Sequence, residues 1–222
     1  MVIPITDSYI KVSLVCDNSE FVKCAWYYIL DPVLLTWTKK EMSKMETEMY
    51  KDHKIEIDFD EMPDSPREGY DLGTIVTSGR SRYNIGDEQP MDFEDHMKGV
   101  RREPGIILPV YAYIHGGMTI SLSPFSCPWD SGQVGFICVT NRKIRNEFGV
   151  SRVTKKVMDR VEKILESEIS VFDDYLTGNV YRFRIIDQEG IEQDSFGSFY
   201  GSDHKHNGLL DMAEESIDSI VG

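Results

Sequence analysis

Between Thr154 and Gly178 the chain carries Val157, Val161, Ile164, Leu165, Ile169, Phe172 and Leu176 at spacings of three, four or one, with polar residues between them. At 3.6 residues per turn these positions make one stripe, so the segment predicts a long amphipathic helix that must lay a single face on something flat. Thr154 offers the side-chain oxygen of an N-cap, and Gly178 a left-handed stop. The flat partner is supplied by strand-like runs on either side. LPVYAYI (108–114) and MTISLS (118–123) are joined by His115-Gly116-Gly117, whose glycines provide the positive φ of a tight hairpin. VGFICVT (134–140) predicts a third strand and NRKIRNEFG (141–149) a short helix closed by Gly149. VYRFRII (180–186) and IEQDSF (191–196) predict a second hairpin about DQEG, and LLDMAEESIDSIV (209–221) a terminal amphipathic helix. Strands then helix, twice over, predict an α+β fold with a mostly antiparallel sheet and packed amphipathic helices.

The first third of the chain is less regular. SYIKVSLVC (8–16) reads as a strand, AWYYILDPVLLTW (25–37) as an apolar core segment broken at Pro32, and TKKEMSKMETEMYK (38–51) as a helix, with Met42, Met45 and Met49 on one side. KIEIDFD (54–60) alternates strictly: Ile55, Ile57 and Phe59 on one face, Glu56, Asp58 and Asp60 on the other. MPDSPREGYD (62–71) has no periodicity and two prolines, the mark of a surface loop or hinge. A boundary there separates an N-terminal α+β segment (1–70) from a C-terminal α+β domain (71–222), the alternative being one compact domain.

Charge narrows the function classes. Twenty-four Lys and Arg against 38 Asp and Glu give a net charge of −14, which at long range repels phosphate backbones and anionic headgroups. Direct nucleic-acid binding and membrane-surface binding are therefore disfavoured. Acidic residues are in excess over 41–103 (17 against 9 basic) and over 187–222 (9 against 1), on either side of a mildly basic middle. Arg142, Lys143, Arg145, Arg152, Lys155, Lys156, Arg160 and Lys163 crowd that middle without interleaved aromatics, as a solvated helix face does. No run approaches a membrane span, and the first residues lack the pattern of an export signal, so a cytoplasmic setting is expected, with Cys16, Cys24, Cys127 and Cys138 as thiols.

The loop SPFSCPWDSGQVG (123–135) sets Cys127, Trp129, Asp130, Ser131 and Gln133 among two prolines and two glycines. Such a backbone can hold polar groups in fixed geometry. As a site, it would use Cys127 as nucleophile, His115 from the neighbouring hairpin tip as base and Asp130 to orient it, with Trp129, Ser131 and Gln133 contacting a ligand. As a plain connection, it would bury Trp129 and Phe125 and use Asp130 and Ser131 to cap backbone amides. Arg80, Arg82 and Tyr83 beside Gly86 could meet a phosphate, although no Walker or dinucleotide-binding glycine pattern is present. SDHKHNG (202–208) offers Asp203, His204 and His206, but no second pair with ligand spacing, so no metal and no cofactor is assigned.

The strings RYNIGDE, LPVYAYIHGG, SPFSCPWDSGQVGFI, DDYLTGNVYRFRI and DSFGSFYG together resemble a family of uncharacterised proteins encoded by tailed bacteriophages and other bacterial mobile elements, over roughly residues 72–201. The resemblance implies a setting, the infected bacterial cytoplasm, and transfers no catalytic role. Two functions follow as expectations. In the first, an acidic accessory protein binds a host protein, a nucleic-acid-binding or defence protein being one candidate, through carboxylate rows such as Glu56, Asp58 and Asp60. In the second, a small-ligand binder or hydrolase-type enzyme has its site at the 123–135 loop with His115.

Overall fold

The computed structural model describes residues 46–78 and 85–222 and, before them, the backbone of two short strands, β1 (Val2–Ile5) and β2 (Ser8–Lys11), which pair antiparallel. The apolar segment 25–37, and Arg80, Arg82 and Tyr83, lie outside the described residues. The chain divides into two compact units, Met1–Met42 and Ser43–Gly222.

The second unit holds two four-stranded antiparallel sheets. The first combines β3 (Glu46–Tyr50) and β4 (His53–Phe59) with β9 (Val180–Ile186) and β10 (Glu192–Tyr200) in the order β10-β9-β4-β3. The second combines β5 (Thr74–Thr77), β6 (Gly105–Ile114), β7 (Met118–Ser121) and β8 (Ser131–Thr140) in the order β5-β8-β6-β7. Helices α1 (Phe93–Arg102), α2 (Asn141–Phe148), α3 (Lys155–Thr177) and α4 (Leu209–Val221) complete the α+β architecture expected from the sequence. β4 and β9 are hydrogen-bonded neighbours, so strands from either side of residue 70 share one sheet.

Each sheet buries what its period-2 pattern presents. Ile55 and Ile57 of β4, with Phe183 and Ile185 of β9, pack under Leu209, Ala213 and Ile217 of α4. Val161, Leu165, Ile169 and Phe172 of α3 lie on Ile106, Val110, Ile120 and Ile137 of the second sheet, joined by Ile144 of α2. Each such Val, Leu, Ile or Phe side chain, fully buried, contributes about 1.5–3 kcal/mol of transfer free energy. The reverse face of the second sheet carries Val76, Cys138, Ile107 and Phe136 against Phe93, Met97 and Val100 of α1. Covering on both faces explains the unbroken apolar run of β8. Asp173 of α3 accepts from the Thr119 hydroxyl and the Ile120 amide, both at 2.7 Å, which seats the helix on edge strand β7.

Residues 46–50 depart from the helix expected over 38–51. They pair with β4 through a two-residue turn in which Lys51 and Asp52 both have positive φ (44° and 63°), the backbone of a tight hairpin turn. Met49 is 66% exposed there, so the methionine spacing marks no buried stripe among the described residues.

The proline-containing loop after β4 is anchored by one side chain. Arg67, in the short 3-10 turn Pro66–Glu68, donates to both oxygens of Asp87, to the Gly73 carbonyl at 2.9 Å, and pairs with Asp71 (3.2 Å) and Glu168 of α3 (3.5 Å). Glu168 also accepts from the Leu72 and Gly73 amides at 2.7 and 3.0 Å, and Asp87 from the Ile75 amide at 2.7 Å. Burial raises the Glu168 carboxyl above its ordinary range, opposed by those two amides. Burial likewise works against the Arg67 charge, yet the three carboxylates, Asp87 foremost, hold the guanidinium more firmly protonated than usual.

Candidate functional site

The hairpin tip between β6 and β7 and the loop before β8 are built against each other. His115 donates its amide to the Gly117 carbonyl at 3.1 Å, and Gly116 takes the left-handed conformation (φ 75°) that closes the turn. The long loop then returns beside β6: Tyr113 is the register partner of Ser131, and the Ile114 amide donates to the Asp130 carbonyl at 2.8 Å. The Ser131 hydroxyl donates to the Cys127 carbonyl and locks the last turn of the loop. On the same surface Phe125, Tyr113 and His115 form a row of rings, with centroids 5.9 and 6.2 Å apart.

His115, Cys127 and Asp130 come together as the sequence suggested, but in a different order. His115 Nδ1 is 3.2 Å from Asp130 Oδ2, and Cys127 Sγ is 4.0 Å from that same oxygen. Imidazole and thiol thus share one carboxylate oxygen. A general base must reach the nucleophile directly, and the contact that the thiol makes here is with the carboxylate. The His115–Asp130 pair braces the hairpin tip against the loop, with the His115 side chain 71% exposed and Asp130 41% exposed. Gln133 uses its amide on the Gly135 carbonyl at 3.2 Å. Trp129 departs from the plain-connection reading, which would bury it: the side chain is 91% exposed.

The outward row on β4 is charge-matched. Glu56 pairs with Lys54 at 2.6 Å and with Arg184 of β9 at 2.9 Å, and Asp58 stands in register with Arg182. Asp60 accepts from the Ser198 and Met62 amides at 2.8 and 3.0 Å, tying the following loop to β10. These carboxylates hold the sheet and its loop together. A different set of acids does gather: Glu46 and Glu48 lie on the α4 side of the first sheet, opposite Ile57 and Ile55, and α4 exposes Asp211, Glu214, Glu215 and Asp218. Lys51 pairs with Asp218 there at 2.9 Å.

In the 202–208 segment, His206 pairs with Asp203 at 2.9 Å, while His204 is buried edge-on to Tyr181 and 3.6 Å from Glu46. No group of three His, Cys, Asp or Glu side chains among the described residues is arranged to hold a metal ion.

Two hollows lie away from the 123–135 loop. One, about 380 Å³, sits where Asp60 and Asp64 meet the Gly197–Ser198 bulge of β10 and Arg182. The other, about 470 Å³, is a groove between α1 and the β5-β8-β6 surface, with Cys138 in its wall and Glu88 and His96, paired at 3.2 Å, at its edge. Neither is legible in the sequence, since their walls come from segments far apart in the chain.

No family model matches the chain, nor does any curated protein or solved structure. No described helix is long and apolar enough to cross a membrane.

Proposed function

We propose that the protein acts by binding another protein, with the β6–β7 tip and the 123–131 loop as its contact surface and Trp129 as the anchor. One observation carries the reading: a large aromatic side chain stands 91% exposed on a loop that hydrogen bonds hold in a single path. A braced exposed Trp loses little conformational freedom on docking and offers a large apolar area together with an N–H donor, which is why Trp dominates binding hot spots. Phe125, Tyr113 and the His115–Asp130 pair extend the surface with rings and polar groups. The net charge of −14 favours a partner with a basic rim and speeds encounter. In the setting that the phage resemblance implies, that partner is a host protein.

The test is retention of a partner from bacterial lysate on immobilised protein, followed by titration of the identified partner. Replacing a hot-spot Trp costs about 2 kcal/mol or more, so Trp129→Ala should weaken Kd by at least about thirtyfold. Cys127→Ala should leave binding within about twofold, because the thiol is assigned no catalytic work here. Equal binding by Trp129→Ala and the unaltered chain would refute the assignment, as would loss of activity on Cys127→Ala alone.

A further inference from the structure

We propose that the groove between α1 and the β5-β8-β6 surface is a binding site for a small amphipathic organic cation, its apolar body against the sheet and its ammonium group at the carboxylate edge. The volume, about 470 Å³, falls in the range of small-molecule sites. The wall is apolar: Val76, Ile107 and Val100 line it, and Cys138, 8% exposed, adds a thiol that burial pushes up to about 11, so it behaves as an uncharged, weakly polar surface.

The edge is negative. Glu88, Asp95 and Glu103 line it, and Glu103 makes no ion pair among the described residues. Lys98 pairs with Asp95 at 3.7 Å where both are exposed, and Lys143, although it also lines the groove, and Arg101 are directed elsewhere. Lys143 donates to the Asp71 carbonyl at 2.7 Å and lies over the Tyr70 ring, and Arg101 lies over the Phe136 ring. Charge complementarity therefore selects an ammonium head over a carboxylate.

Gly99 supplies a second, independent observation. It is an interior residue of α1 and lines the groove, yet a Cβ built on it meets no atom within 4 Å, and its φ is not positive. Neither close packing nor backbone conformation calls for glycine there, and glycine weakens a helix interior. The space beside it in the groove is open, and a longer side chain at that position would enter it.

The experiment compares three probes of one shape, 3-phenylpropan-1-amine, 3-phenylpropan-1-ol and 3-phenylpropanoate, by NMR titration of the full chain. A parallel measurement follows the alkylation rate of Cys138 in a Cys16→Ser/Cys24→Ser/Cys127→Ser variant. The amine should bind about tenfold or more tightly than the carboxylate, with the alcohol between them. Its shifts should centre on Val76, Ile107 and Val100, and saturation should slow Cys138 alkylation about fivefold or more by covering the thiol. Gly99→Leu, which fills the groove, should weaken the amine about tenfold while the far-ultraviolet spectrum stays native. Glu88→Gln/Glu103→Gln, both on the exposed edge, should reduce the preference for amine over carboxylate to about threefold or less, and this variant decides the matter if Gly99→Leu fails to fold. Carboxylate binding equal to or tighter than amine binding overturns the proposal. So does unchanged amine affinity in a folded Gly99→Leu chain, or the absence of groove shifts with all three probes.

Discussion

Cys138 gives the fold a measurable weakness at alkaline pH. Its thiol is 8% exposed against Met97 and Val76, and burial, with Glu88 nearby, moves it from 9.0 to about 11 in the folded chain. Below pH 9 the thiol keeps its proton in both states and adds no pH dependence. Between 9 and about 11 the unfolded chain releases the proton while the folded chain holds it. The unfolded state then binds fewer protons, so stability falls as pH rises, by about 1.4 kcal/mol per pH unit. Above about 11 both states ionise and the loss levels off, at about 3 kcal/mol in total. Urea denaturation of the unaltered chain and of Cys138→Ala, under reducing conditions at pH 8, 9, 10 and 11, isolates this contribution, because the lysines and tyrosines titrate alike in both. The stability difference should shift by about 2 kcal/mol between pH 8 and pH 11 in favour of Cys138→Ala. Parallel curves would refute the reasoning, and with it the account of Cys138 as a dry wall of the groove.

Two further perturbations test the frame that holds these surfaces. Arg67→Met leaves Asp71, Asp87 and Glu168 without their shared cation, and breaking a buried ion pair from one side costs about 3–5 kcal/mol. Thermal unfolding should show a large drop in Tm that Arg67→Met/Asp87→Asn partly recovers, whereas a drop no larger than that of an exposed arginine would place the network among weak surface pairs. Gly178→Ala forces a side chain into the left-handed backbone that ends α3 (φ 74°) with no atom within 4 Å to clash, so its cost is conformational alone, about 1 kcal/mol by urea denaturation.

Legibility in the sequence followed the range of the interaction. α3 was readable almost to the residue because its stripe, the Thr154 cap and the Gly178 stop are local, and the Thr154 side chain indeed accepts from the Val157 amide. The β6–β7 hairpin and the closeness of His115 to Asp130 were readable for a similar reason: the loop leaves β7 and comes back beside β6 within a few residues. Their chemistry was less readable, since it is contacts of 3.2 and 4.0 Å that put imidazole and thiol on one carboxylate oxygen, and no spacing encodes that. β3 was hidden by methionines at helical intervals, and its turn used Lys51 and Asp52 where glycine or asparagine would have announced it. The Arg67 network and the α1 groove draw on residues up to about a hundred positions apart, beyond any pattern a single window shows.

The same distinction decides where a charge-steered partner could approach. Period-2 alternation placed Glu56 and Asp58 on one outward face, but strand register, which the alternation leaves open, set Arg184 and Arg182 opposite them. A cross-strand opposite pair stabilises the sheet locally and cancels at a distance, so that face projects little field. Glu46 and Glu48 answer instead to the neighbouring helix, whose exposed Asp211, Glu214, Glu215 and Asp218 add to them with Lys51 as the paired cation. Reversing Glu214 and Glu215 should therefore reduce the salt dependence of partner association, while reversing Glu56 and Asp58 should damage the sheet before it touches the encounter rate. If the β4 pair proved the more salt-sensitive in a folded chain, register would not be what neutralises it.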